Sequence, residues 1–337
     1  MIREGRCTVV AEAGVNHNGD AGLALRLVEA AADAGADVVK FQLFRAEEVA
    51  SAAAPKAGYQ LRTTDEGQSQ LDMLRALELE LDAFPRLIEA ARAHGIGFLC
   101  TCYAADELDF LDEAGVEAFK FASAQIVELP LLVHAAAKGK PLVVSTGMAT
   151  TDEIAEALAA IGDAAPVVLL QCTTNYPSRV DEANLRTIPA LRREFGVPVG
   201  YSDHTEGDAA AVAAVALGAV MVEKHLTLDR TMAGPDHAAS LDPRQFRSMV
   251  QRIREAEAAL GEPGKRPTPG ELENAFVMRR SLFAAVDIAA GTTIEAEHLA
   301  LRRPFSGLHP RLFSEVVGAT ARVDISADTP LARELLA

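Results

Sequence analysis

The sequence predicts a (β/α)₈ TIM barrel followed by a small, mostly β module. Three observations carry that prediction. Eight short apolar runs of strand length recur along the earlier part of the 337 residues, and stretches with helical spacing separate them. The junctions share one shape, a helix end, a glycine, a strand and then polar residues, as in "AGADVVKFQ", "AHGIGFLCT", "EAGVEAFKFAS" and "ALGAVMVEKH". The first run leads into Gly14-Val15-Asn16-His17-Asn18-Gly19. That is not the glycine-rich nucleotide turn of a doubly wound open sheet, so the closed barrel is the better reading.

In chain order, the expected strands fall at residues 8–15, 38–44, 97–103, 118–123, 141–146, 167–173, 197–202 and 220–227. Between the first two, Leu23, Leu27 and Ala31 recur at i, i+4 and Gly35 ends the helix. After a last helix near Leu260, prolines and glycines crowd "GEPGKRPTPG" at 261–270, which reads as a linker. The expected division is a barrel at 1–262, a linker at 263–278 and a β module at 279–337. In the module, apolar runs at 282–286, 299–301 and 321–323 alternate with turn signals such as Ala290-Gly291.

The formal net charge is −16. With no basic face to meet phosphates, nucleic acid is a poor partner. The start of the chain lacks the apolar core of a signal peptide, and no later run is long and apolar enough to span a membrane. A cytoplasmic protein is expected. Cys7, Cys100, Cys102 and Cys172 lie in or beside expected strands, at spacings that match neither a redox pair nor a zinc knuckle. They read as buried free thiols.

The chemistry gathers at the C-terminal strand ends, where a barrel opens its catalytic mouth. Lys40 and Gln42, Ser202 and His204, and Glu223 and His225 are two apart, so each pair shares one face of its strand. His204 and His225 come from adjacent strands and can share one metal ion, leaving the site open as a catalytic metal requires. His237, on the loop "GPDH", is a weaker third candidate. His17, His94, His134, His298 and His309 read as surface, turn or packing residues. Lys40 and Lys120 near strand ends need anionic partners if buried together. Ser123, Ser145 and Ser202 add hydroxyls, and Ser145-Thr146-Gly147 resembles a phosphate-cradling turn. Together they suit a ligand carrying both a carboxylate and a phosphate.

The segments "AEAGVNHNGD", "GADVVKFQ", "KFAS", "VVSTGM", "LLQCTTNYP", "GYSDHT", "EKHLTLDRTMAGPDH" and "RRPFSGLHP" resemble, in order and spacing, the sialic acid (N-acetylneuraminate) synthase family, which includes legionaminate and pseudaminate synthases. The tail resembles the antifreeze-like (SAF) domain that these synthases carry. The resemblance implies metal-dependent condensation of phosphoenolpyruvate with an amino-sugar aldehyde, N-acetylmannosamine or a 2,4-diacetamido-trideoxy hexose. His204 and His225 match the metal ligands, with manganese the usual ion and magnesium or cobalt as alternatives. Lys40, Thr101, Lys120, Ser123, Ser145, Asn175 and Ser202 match phosphoenolpyruvate contacts. Glu12, Gln42, Gln125, Tyr176 and Asp236 match the acceptor side, with Glu12 and Asp236 among the catalytic groups. Arg303 matches an arginine given to the partner subunit's site, which implies a domain-swapped homodimer.

Two departures fall on loops expected to face substrate. Gln125 stands where relatives commonly have glutamate, and Thr174 precedes Asn175 where an amide is sometimes found earlier. Gln125 leaves open a non-catalytic sugar-binding homologue. Another phosphoenolpyruvate-dependent aldol synthase, acting on a phosphorylated aldose, is the remaining alternative.

Overall fold

The computed structural model describes residues 5–64 and 67–337. Residues 1–4, on which the expectation of no signal peptide in part rests, lie outside the described residues. Eight parallel strands close into a barrel in chain order, β8 pairing with β1. They are β1 (Thr8–Gly14), β2 (Val38–Leu43), β3 (Gly97–Cys102), β4 (Phe119–Phe121), β5 (Leu142–Ser145), β6 (Val167–Cys172), β7 (Val199–Asp203) and β8 (Met221–His225). Each is followed by a principal helix: α1 (Ala21–Asp33), α2 (Ala83–Ala93), α3 (Ala105–Glu113), α4 (Leu129–Ala136), α5 (Thr151–Ile161), α6 (Thr187–Phe195), α7 (Ala209–Ala216) and α8 (Pro243–Leu260). Asp20 caps α1 by accepting from Gly22 and Leu23 N–H, and Thr150 with Glu153 makes a capping box on α5.

Alternation along the strands sorts the side chains. Val10, Val38, Leu99, Ala118, Val143, Val168, Leu170 and Met221 fill the barrel interior as one apolar plug. Two residues further on in several of these strands the same inward face turns polar, with Glu12, Lys40, Thr101, Lys120, Ser145, Cys172 and Glu223. The opposite faces, including Val9, Ala11, Val39, Phe41, Cys100, Phe119, Phe121, Val144, Tyr201 and Val222, join the helices in the main core. Gly200 has no room for a side chain, since a Cβ there would lie 2.5 Å from the Met221 carbonyl oxygen.

The strand expectations hold to within a few residues. β4 is the shortest, because Ser123–Val127 turns at once into a 3₁₀ helix. All four cysteines are free and buried. Among the described residues no helix is long and apolar enough to cross a membrane.

Residues through Gly261 form one compact unit and Glu262–Ala337 a second. The stretch read as a linker holds a helix, α9 (Pro269–Met278). Thr268 and Glu271 form its capping box and Pro269 sits in its first turn. In the second unit β9 (Ser281–Ala284) pairs antiparallel with β10 (Leu299–Arg302). Leu282, Ala284, Ile288, Ile294, Leu299, Val316, Ala321, Ile325 and Leu331 form its core.

Candidate active site

Above the apolar plug the barrel mouth opens into a cavity of about 260 Å³. Its floor is set by strand register. Glu12 lies opposite both Lys40 on β2 and His225 on β8, Thr101 lies opposite Lys120, and Ser202 lies opposite Glu223. Glu12, Lys40, Gln42, Thr101, Lys120, Ser123, Ser145, Tyr176, Ser202, His204, His225 and Asp236 all line this one cavity.

The two lysines do have anionic partners, and the protein supplies them. Lys40 Nζ lies 2.9 Å from Glu12 Oε1 and 3.6 Å from Glu223 Oε1, and it donates to Thr101 Oγ1 at 3.2 Å. Lys120 Nζ donates to Ser145 Oγ at 2.7 Å and to the Phe121 carbonyl at 2.8 Å, with Glu223 Oε1 3.9 Å away. Burial opposes the Lys40 ammonium, but Glu12 and Glu223 outweigh it and raise its pKa. Burial wins at Lys120, whose pKa falls even though Glu223 draws it up. Glu223, flanked by both ammonium groups, is held ionised against its burial. Burial raises the Glu12 pKa against the pull of Lys40, and burial with Glu12 nearby raises Asp236 to about 6. The sequence reading placed Glu223 at a strand end without a role. The signal was its position two residues before His225 on the same face.

Two histidines line the same mouth. His204 Nδ1 lies 2.8 Å from the Thr173 carbonyl oxygen. A carbonyl only accepts, so Nδ1 carries a proton. Burial opposes the charged ring, but Cys172, the Thr173 carbonyl and Glu223 outweigh it and raise the His204 pKa. His225 Nδ1 is buried without a protein partner, 3.7 Å from Asp236 Oδ2. Burial, His204 and the lysines hold the His225 pKa well below the ordinary value, so its ring is neutral. The two ring centroids are 5.5 Å apart, and Tyr176 packs 4.0 Å from His204 and 5.6 Å from His225. Two adjacent imidazoles, His225 neutral and His204 able to exchange a ring proton for a metal ion, fit a divalent cation that keeps other positions for substrate. Among the described residues no group of three His, Cys, Asp or Glu side chains gathers as a closed metal site.

A cradle completes the floor. Gly147 N–H donates to Ser123 Oγ at 3.0 Å, and a Cβ on Gly147 would sit 2.2 Å from Thr174 Oγ1 and 2.7 Å from Ser123 Oγ. Thr174 Oγ1, Glu12 Oε2 and Glu223 Oε2 are buried without protein hydrogen-bond partners. Thr174 lines the cavity and Asn175 does not. Asn175 is exposed, with its amide 3.4 Å from Glu182 Oε2.

Two other expectations change. Gln125 is fully buried and absent from the cavity wall. Its Oε1 accepts from Ala122 N–H at 2.8 Å and its Nε2 donates to the Cys102 carbonyl at 2.7 Å. The amide thus ties the turn after β4 to the end of β3. His237 leaves the candidate metal ligands, because its ring meets Thr227 Oγ1 at 2.6 Å and Asn18 Oδ1 at 3.2 Å and so locks the loop bearing Asp236. His17 is buried, accepting from Gly19 N–H at 3.0 Å. Arg303 lies exposed on the second unit, just past β10.

The upper wall comes from the long β2–α2 connection, whose contribution the sequence reading missed. Phe44, Val49, Tyr59, Gln60, Gln70, Met73, Leu74 and Leu77 reach the cavity. Val15, Phe44, Met73 and Leu77 form a small apolar cluster there, with Leu74 and Tyr103 packed against it.

The NeuB family model matches residues 27–265 and the SAF domain model residues 279–337. An N,N'-diacetyllegionaminic acid synthase of Legionella pneumophila is 42% identical over 96% of this chain and 93% of its own. The enzyme of that name from Campylobacter jejuni is 43% identical over 95% of this chain and 97% of its own. A crystal structure of N-acetylneuraminic acid (sialic acid) synthetase from Leptospira borgpetersenii, in complex with citrate, superposes with a TM-score of 0.71 at 34% identity, covering 80% of this chain and 90% of that one.

Proposed function

The chain belongs to the NeuB family and is an enzyme, and from that premise we propose that it condenses phosphoenolpyruvate with an unphosphorylated amino-sugar aldehyde, giving a nonulosonic acid and phosphate. The observation that carries the reading is that one cavity gathers two sets of groups, a cationic and hydroxyl-rich set and a set of imidazoles and carboxylates. Lys40 and Lys120 with the Ser and Thr hydroxyls line it together with His204, His225, Glu12 and Asp236, and Glu12 lies between the two sets, paired to Lys40 at 2.9 Å and in register with His225.

In this reading Lys40, Lys120, Thr101, Ser123, Ser145 and Ser202 hold the carboxylate and phosphate of phosphoenolpyruvate, with the methylene carbon toward the acceptor. Thr174 and the Gly147 turn take the place expected of Asn175. His204 and His225 would hold a divalent cation, manganese with magnesium or cobalt as alternatives. When bound it would supply Lewis-acid polarisation of the acceptor aldehyde. The methylene carbon attacks the aldehyde carbon, forming the C–C bond and leaving an oxocarbenium-like carbon beside the carboxylate. Water adds to that carbon, and the tetrahedral intermediate expels phosphate as its C–O bond breaks. Glu12 and Asp236 orient acceptor hydroxyls, Gln42 and Tyr176 flank them, and holding both reactants in line supplies much of the acceleration. Arg303 would reach the acceptor in a partner subunit, making the working form a domain-swapped homodimer. Because phosphoenolpyruvate is a cytoplasmic metabolite, we place the enzyme in the cytoplasm.

The apolar cluster of Phe44, Met73 and Leu77 favours a 2,4-diacetamido-trideoxy hexose, whose methyl terminus it can cover, over N-acetylmannosamine, whose terminal hydroxyl it would strip of water. The two legionaminic acid synthases above point the same way. Comparing kcat/KM for the two acceptors tests this. A preference of about 10–100-fold for the trideoxy sugar is expected, and equal or reversed values would sink the acceptor assignment.

A further inference from the structure

We propose that the buried ion pair between Asp203 and Lys224 is a positioning device that sets the separation and aim of the His204 and His225 imidazoles. The inference rests on the reading of those rings as metal ligands.

Alternation puts Ser202 and His204, and Glu223 and His225, toward the cavity, which turns Asp203 and Lys224 outward between strands and helices. Around them that layer is apolar, with Val199 and Val222 in the main core, yet each charged residue is only 1% exposed. Lys224 Nζ meets Asp203 Oδ2 at 2.9 Å and also donates to the Thr205 carbonyl. Asp203 Oδ1 accepts from Thr205 N–H and Thr205 Oγ1, both at 2.8 Å, and from the Tyr201 hydroxyl at 3.2 Å. The residues on either side of His204 are therefore tied to the residue immediately before His225.

The backbone ladder does not do this alone. Asp203–Lys224 is the last register pair between β7 and β8. His204 has already left the strand, while His225 remains paired to Glu12 on β1. As a source of stability such a pair is a poor choice, because apolar residues of similar volume often serve as well or better in a buried layer. As a fixed-length strut it is a good one. Partners behind metal-binding histidines commonly govern affinity through orientation rather than contact.

The test uses the full chain carrying Asp203→Asn with Lys224→Met, which removes both charges while keeping volume and the acceptor for Thr205. Three quantities are read: the unfolding midpoint, the His204 and His225 ring resonances in metal-free protein, and Mn²⁺ affinity. The proposal expects a midpoint near that of the parent, displaced or broadened ring resonances, and affinity weakened about 10–100-fold. Unchanged rings and unchanged affinity would overturn it, leaving the pair a packing feature. If the parent binds no Mn²⁺, the metal reading fails by itself, and the ring resonances still decide the positioning claim. Should the double variant not fold, Thr205→Val removes one hydroxyl bond to Asp203. It should disturb the same resonances while Thr205→Ser leaves them as in the parent. Identical spectra for Val and Ser would again overturn the proposal.

Discussion

Gln125→Glu reverses the residue most at odds with the family pattern, and the structure specifies what it should do. The Gln125 amide accepts from Ala122 N–H and donates to the Cys102 carbonyl at 2.7 Å, out of contact with water. A carboxylate keeps the first bond but sets oxygen against oxygen in the second. The folded protein can restore that bond by holding the new group protonated, which raises its pKa above the value near 4.3 of an unfolded chain. A raised folded-state pKa means that stability is retained at low pH and lost as pH rises. At about 1.36 kcal/mol per pH unit above 4.3, the cost is roughly 1.5 kcal/mol at pH 5.5 and as much as about 5 kcal/mol at pH 8. Urea unfolding of parent and variant at both pH values measures this directly. The control Gln125→Met loses both bonds and should cost about the same at each pH. If Gln125→Glu were as stable as the parent at pH 8, or were more active through tighter acceptor binding, the assignment of Gln125 as a buried tie would be refuted.

Three further outcomes are expected. Gly147→Ala should keep the fold but push aside the Thr174 and Ser123 hydroxyls, at about 1–3 kcal/mol of strain. The effect should appear as a raised KM for phosphoenolpyruvate, and an unchanged KM would remove Gly147 from the cradle. Glu223→Gln should strip two buried ammonium groups of their shared counter-charge, destabilising the free protein by about 3–5 kcal/mol. Phosphoenolpyruvate should then raise the melting temperature more in this variant than in the parent, and an equal rise would contradict the charge scheme. His17→Gln should flatten the acid limb of the stability curve. Burial lowers the His17 pKa to about 4, against 6.5 in the unfolded chain, so the unfolded chain takes up the extra proton between those values and parent stability falls on acidification. The loss is roughly 2 kcal/mol by pH 5, and an unaltered curve in the variant would assign it to other groups.

Much of this architecture was legible in the sequence because two periodicities coincide. Alternation within each strand and the repeated glycine before it place Lys40, Lys120, Ser202, His204 and His225 at one end of a closed barrel. What alternation cannot give is the direction of side chains that leave the strand. Gln125 and Asn175 lie in 3₁₀ or loop backbone just beyond strands, where a substrate-facing motif position and a backbone-facing one look alike. His237 is similar, since its partners Asn18 and Thr227 come from the loops after β1 and β8. The upper wall was illegible for another reason, because the β2–α2 connection is built from helices of four to six residues, Ala46–Val49, Gln60–Thr63 and Gln70–Arg75. None is long enough to show a period. Helix α9, by contrast, carried a readable signal in Thr268-Pro269-Gly270-Glu271, a capping box outweighed by the surrounding prolines and glycines. The tie that holds Gln125 also removes the argument it offered for a non-catalytic homologue, since it does not face the cavity.

The most direct test of the central claim is inorganic phosphate release from phosphoenolpyruvate with Mn²⁺ and a 2,4-diacetamido-trideoxy hexose, with the nine-carbon product measured in the same samples. The account predicts one phosphate per product, abolished by EDTA and restored by added Mn²⁺, with His204→Ala inactive at the same metal concentration. Phosphate release that persists in EDTA, or full activity of His204→Ala without metal, would contradict it.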